Sequence, residues 1–195
     1  MSTSTGLALT AALLQKPPLH IPDPEGSNLP YKTEFVPWRS EAPQDFSVVL
    51  PLLEGLVGRE NAERLQPTQG GVTAIKINWW HAPDPRGNPH SHPWKEFNSL
   101  ILYGGYTETV VSRGYRGNEP IIRTYTAGDI NHNVEQEFHT VDTVEKGTVT
   151  LMVCGEMTEG GVWGHLVNGE FVPAGKDSSY FGKIQANNRF MLPRS

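Results

Sequence analysis

Two imidazoles, a carboxylate and a glycine pair lie close together between Gly87 and Tyr106, in the run GNPHSHPWKEFNSLILYGGY. His90 and His92 are two residues apart. In an extended strand that spacing puts both rings on one face, where they converge with little rearrangement. Such a pair suits a metal ion. Pro93 and Trp94 interrupt the strand, and FNSLILY reads as a second strand whose even positions, Glu96, Asn98, Leu100 and Leu102, share a face. From there Glu96 joins the two histidines. Downstream, His139 opens a strand in which His139, Val141 and Thr143 share a face, and a closed barrel brings its ring across to the cluster. His132, in the turn-like GDINHN, is the rival for that place, with a solvent-facing loop residue as its simpler reading. Three imidazoles and one carboxylate suit Fe(II), Mn(II), Ni(II), Co(II) or Zn(II), and the ligand types do not choose among them.

Around this point other groups are candidates for substrate contact. Asn98 is placed as a hydrogen-bonding group near the metal. Lys76 and Arg123, each within a strand, meet an anionic substrate if they point inward, and otherwise belong to a solvated face. Trp79, Trp94, Tyr103, Tyr106 and Tyr125 are candidate pocket aromatics, each with core packing as the competing reading. His20, His81 and His165 read as structural or exposed. Cys154 ends an apolar strand and reads as a small buried residue.

The elements that must position these residues are mostly strands. VTAIKINWW, FNSLILY, YTETVVSR, PIIRTY, HTVDTV, TVTLMVC and WGHLV are short, rich in branched and aromatic residues, and separated by turn residues. That pattern belongs to an all-β sandwich or barrel. Gly104-Gly105 and Lys146-Gly147 read as hairpin turns. Before the strands, prolines at 17, 18, 22, 24, 30, 37 and 43 remove backbone donors so often that an extended arm is expected, with no helix or central strand. Its apolar residues, including Tyr31, Phe35 and Trp38, anchor it to the domain or to a partner subunit. Asp45 caps a short helix carrying Phe46, Val49, Leu50, Leu53, Leu56 and Val57 at helical spacing, kinked or divided by Pro51. The run RENAER reads as a solvated face. The organisation expected is an arm with short helices over 1–66 and a single barrel domain with a C-terminal extension over 67–195.

Composition narrows the function classes. With 195 residues and 37% hydrophobic content, the chain has room for one well-buried domain. Lys and Arg total 16 against 21 for Asp and Glu, a net charge of −5 without a basic block, which disfavours nucleic acid as a partner. One cysteine forms no internal disulfide, in keeping with a reducing compartment. No stretch reaches the roughly 20 apolar residues that span a bilayer, and GLALTAALL at Gly6 to Leu14 is a poor secretory signal. A cytoplasmic protein acting on a small molecule is expected, without nucleic acid or membrane. A homodimer is expected too, because a crossing arm or edge strand covers surface otherwise exposed.

The motif His90-Ser91-His92, three residues, Glu96, then Gly104-Gly105 resembles the first motif of the cupin superfamily. HPW, FNSLIL and GGYTE, with the later WGHL and EFVP, look like a bacterial and phage-associated branch of it, and the resemblance covers roughly Ile75 to Pro173. The usual second motif, Pro-x-Gly then His, is replaced by Ala127-Gly128-Asp129 with His139 well after it, and Gly87 lies only three residues before His90. The resemblance implies a double-stranded β-helix, or jelly-roll barrel, holding one divalent first-row metal at His90, His92, Glu96 and His139. It implies a metal-dependent enzyme, with an Fe(II) dioxygenase or related oxidoreductase acting on a small organic molecule as the leading expectation. The alternatives are a metal-independent sugar-nucleotide epimerase or isomerase, with His139 and a tyrosine as base and acid, and a noncatalytic ligand-binding cupin.

Overall fold

The structure, a computed structural model, describes residues 18–22, 30–84, 89–112, 120–135, 137–167 and 170–174. The Gly6–Leu14 run, Pro17, Pro24, Gly87 and residues 175–195 lie outside them. Alternating side chains over short branched runs give strands, and here they form two facing antiparallel sheets with a helical layer outside one of them. In chain order the elements are β1 (Leu19–Pro22), β2 (Pro30–Gln44), α1 (Phe46–Val57), α2 (Arg59–Arg64), β3 (Val72–Trp80), β4 (Glu96–Tyr103), β5 (Gly105–Ser112), β6 (Ile121–Thr126), β7 (Ile130–Val134), β8 (Glu137–Val144), β9 (Val149–Cys154), β10 (Gly164–Val167) and β11 (Glu170–Pro173).

The larger sheet has the order β1-β2-β3-β9-β4-β7. The second joins β6-β5-β8 to β10-β11 through His90, which bridges His139 on one side and His165 on the other. From β4 onward the chain crosses repeatedly between the two sheets, at β4 to β5, β6 to β7, β7 to β8, β8 to β9 and β9 to β10, which makes it an all-β jelly roll.

Two turns differ from the hairpins expected. Gly104 and Lys146-Gly147 each carry the chain across the sandwich, because β4 pairs with β7 and β9 whereas β5 pairs with β6 and β8. Gly104 has φ 72°, and a Cβ there would stand 2.4 Å from Thr148 Oγ1. That hydroxyl donates to the Gly105 carbonyl and accepts from the Gly105 N–H, which ties the two crossovers together. Sequence shows a glycine turn but not which strands its flanks pair with.

The proline-rich arm also differs. Residues 30–44 form a strand inside the sheet, between β1 and β3, and the register with β3 shifts between Phe35 and Trp38 and again between Arg39 and Gln44. Pro37 and Pro43 fall in those breaks. Each proline lacks a donor, and a shift in register is how a strand carries one without losing the whole ladder.

α1 forms where its apolar spacing predicts a helix, and RENAER, read as a solvated face, is the short helix α2. Asp45 accepts from the Ser47 N–H, and α1 runs through Pro51. Val49, Leu53, Ala62 and Leu65 pack on Val72, Ile75, Leu100, Leu151 and Val153 of the larger sheet. Each such fully buried aliphatic side chain contributes about 1.5–3 kcal/mol. The opposite face of that sheet, with Trp80 and Ile101, meets Tyr106 and Val141 of the second sheet. Cys154 lies in this interior beside Ala74 and Phe97, and burial pushes its thiol up to about 12. Such a thiol is packing material, not a nucleophile.

Candidate metal centre

Which face a β4 residue takes decides the site. Phe97 and Ile101 point between the sheets, so Glu96, Asn98 and Leu100 point to the helical layer. The Glu96 carboxylate there accepts from the backbone N–H and the hydroxyl of Thr68, and from the Gln69 N–H. Asn98 donates to the carbonyls of Leu65 and Gln66, at the end of α2, at 3.2 and 3.0 Å. His132, from β7, meets the Asn98 side-chain oxygen on this outer side and is exposed. Glu96 and Asn98 therefore fasten the helical layer to the sheet, the rival candidate His132 bonds Asn98 on that same side, and none of the three belongs to the histidine cluster.

The cluster lies between the sheets. The backbones of His90 and His139 exchange two hydrogen bonds, 2.8 and 2.9 Å long, which places their rings side by side with centroids 4.9 Å apart. The His92 ring stands 5.0 Å from each, backed edge-on by Phe97 and stacked on Trp94. His92 Nε2 and His139 Nε2 approach to 2.8 Å, and one ring nitrogen from each of the three histidines lies within 4.8 Å of the others. His165 is across the bridge from His90, with ring centroids 6.0 Å apart, and is outside this group.

Carboxylates stand behind the rings. Glu108 of β5 is fully buried, and its Oε2 accepts from His139 Nδ1 at 2.7 Å and from Asn131 Nδ2 at 3.1 Å. This holds His139 in the tautomer that turns the Nε2 lone pair toward the cluster. Glu108 Oε1 is buried without a partner among the described residues. Asp84 Oδ2 accepts from the Val141 N–H and lies 4.0 Å from His90 Nδ1. Tyr106, an expected contact residue, accepts from Asn131 through its hydroxyl and so joins the Glu108 network; burial and the Glu108 charge push its phenol well above the usual range.

Burial also sets the imidazoles. Desolvation lowers His90 to about 3, with the nearby Asp84 charge opposing and His139 reinforcing the shift. His92 is held well below its ordinary value by burial, then by His139 and His90. Both rings are neutral at physiological pH and offer lone pairs. Three imidazoles this close, one oriented from behind by a carboxylate, fit a divalent first-row metal at bonds of about 2.0–2.1 Å.

A cavity of about 200 Å³ opens onto His90 and His92. Lys76 of β3 points into it, paired with Glu34 at 2.9 Å and lying over the Trp94 ring. Arg123 does not reach it, because its guanidinium is bound by Glu137 at 2.7 and 3.3 Å. Neither Asp84, in the loop after β3, nor Glu108, inside β5, has a motif spacing that would single it out. Glu108 nonetheless carries one signal, a charge in the middle of the apolar alternation YTETVV.

No protein-family profile and no curated protein matches the sequence. Among solved structures, oxalate decarboxylase from Bacillus subtilis at pH 4.6 is similar at 16% identity, over 74% of this chain and 28% of that one, with a TM-score of 0.42. CapF with the inhibitor 3-isopropenyl-tropolone is similar at 12% identity, over 65% and 28%, with a TM-score of 0.41. The capsular polysaccharide assembling protein CapF from Staphylococcus aureus is similar at 15% identity, over 47% and 27%, with a TM-score of 0.36. This chain spans under a third of the length of each.

Proposed function

We propose that the protein is a metal-dependent enzyme acting on a small organic molecule, with His90, His92 and His139 as the metal ligands and Fe(II)-dependent dioxygenation or a related oxidation as its chemistry. The observation that carries this reading is the convergence of three imidazoles beside a cavity, His139 buried and His90 and His92 half-buried, with Glu108 orienting His139. A divalent ion held by three neutral ligands keeps its charge and has open positions, where it supplies Lewis acidity and, if iron, activation of dioxygen. The chain's own residues do the rest. Trp94, Phe97 and the sheet interior exclude water, Asp84 and Glu108 balance charge from behind the rings, and the cavity seats the substrate next to them.

Metal analysis of anaerobically purified protein tests the reading. It expects about one equivalent of iron or another first-row ion per chain, lost in His92→Ala and His139→Ala variants that still fold. Turnover insensitive to complete metal removal would overturn it.

The His139–Glu108 hydrogen bond of 2.7 Å also favours a second reading, in which a carboxylate-backed histidine acts as general base in a metal-independent epimerase or isomerase. Activity that survives chelation and vanishes in His139→Gln selects this alternative.

A further inference from the structure

The cavity beside the histidines carries more cationic charge than its own carboxylate neutralises. Of its lining side chains, Lys32, Lys76 and Glu34 are charged. Glu34 Oε1 receives the Lys76 ammonium at 2.9 Å, so that pair is internally satisfied. Lys32, from the inward face of β2, has no carboxylate within ion-pair distance among the described residues. Its ammonium rests instead on aromatic faces, 4.8 Å from the Trp80 ring centre and 5.9 Å from that of Tyr31. Burial works against its charge, with Glu34 and Asp84 offsetting part of that cost. A desolvated ammonium with ring faces on one side and an open cavity on the other is an anion site.

The rest of the wall says what kind of anion. Leu19, Ile21, Trp94 and Met152 line the same cavity and offer apolar surface. A second cavity of about 180 Å³ reaches His92 from another side, but Glu135 and Glu159 line it, and it repels anions. We propose that the ligand of the first cavity is a small carboxylate with an apolar body, anchored through its carboxylate by Lys32. This rests on the enzyme reading for its position next to the metal ligands, and on Lys32 alone for its charge preference. Lys32 is thus a specificity-determining residue, and Lys76 is held away from direct pairing by Glu34.

Calorimetric titration at low ionic strength tests this with benzoate and hexanoate as anionic probes and benzamide as the neutral counterpart, metal content being measured on the same preparations. Benzoate or hexanoate is expected to bind at least about tenfold more tightly than benzamide. Lys32→Met removes that preference and leaves the metal content and benzamide binding unchanged, whereas Lys32→Arg retains it. The double variant Glu34→Gln with Lys76→Met removes the internal pair without stranding either charge, and it still prefers the carboxylate. Failure of both anions to bind the wild type, or equal carboxylate affinity in Lys32→Met, overturns the anchor. Wild type without metal but with Lys32-dependent benzoate binding overturns the metalloenzyme reading and leaves the anchor standing.

Discussion

At the scale of single residues, burial and parity assign the roles. Glu108 reaches the cluster only through His139, so its replacement acts on how that ring is held. Glu108→Gln is expected to lower metal affinity about 10- to 100-fold while the fold persists, measured by competition with a chromophoric chelator. Glu96, which sequence spacing makes a ligand, is bound by Thr68 and Gln69 instead. Glu96→Ala therefore costs about 1–3 kcal/mol in denaturant unfolding, because it removes the charge-assisted hydrogen bonds between this buried carboxylate and Thr68 and Gln69, and it leaves the metal stoichiometry at the wild-type value. Loss of metal in that variant would return Glu96 to the site. The lowered imidazoles predict a pH response of defined sign. In the metal-free protein the unfolded chain takes up the His90 proton near 6.5 and the folded chain only near 3, so this contribution is complete above about 6.5 and is lost as pH falls toward 3. His90→Gln should flatten the fall in stability with pH across that window.

At the scale of elements, the site depends on strands that cross between sheets. Gly104 takes β4 out of one sheet so that β5 can present Glu108 from the other, with a positive φ and no room for a methyl group against Thr148. Gly104→Ala is expected to destabilise the fold by more than about 1 kcal/mol, read from the midpoint of urea unfolding, since strain and collision add there. On the other side of the sandwich, Asn98 and Glu96 lock the end of α2 and the segment after it onto β4, which keeps the strand carrying Phe97 against His92.

At the scale of the whole molecule, the three histidines come from two places in the chain. His90 and His92 lie in the segment before β4, and His139 lies in β8, so a bound ion links distant parts of the chain within the second sheet. Ligand binding to the folded state alone adds stability by mass action, about 2.7 kcal/mol at a hundredfold excess over the dissociation constant. Removal of metal by chelation should lower the thermal midpoint, and His92→Ala should be blind to the same treatment. No helix among the described residues is long and apolar enough to cross a membrane.

The sequence by itself determined the local matters. Alternation of branched and aromatic residues fixed β3, β4, β8 and β9, Asp45 with its helical spacing fixed α1, and His90-Ser91-His92 marked the chemistry. These depend on neighbours a few residues away, which a reading of one chain can see. Tertiary structure alone decided which side of β4 faces the cluster, and so exchanged Glu96 and Asn98 for Glu108 and Asp84. It also turned two expected hairpins into crossovers, drew a proline-rich arm into the larger sheet, and set Lys32 in the cavity. The physical reason is the period of two in a strand: one residue of register moves every side chain to the opposite face, and register is fixed by partners far away in the sequence.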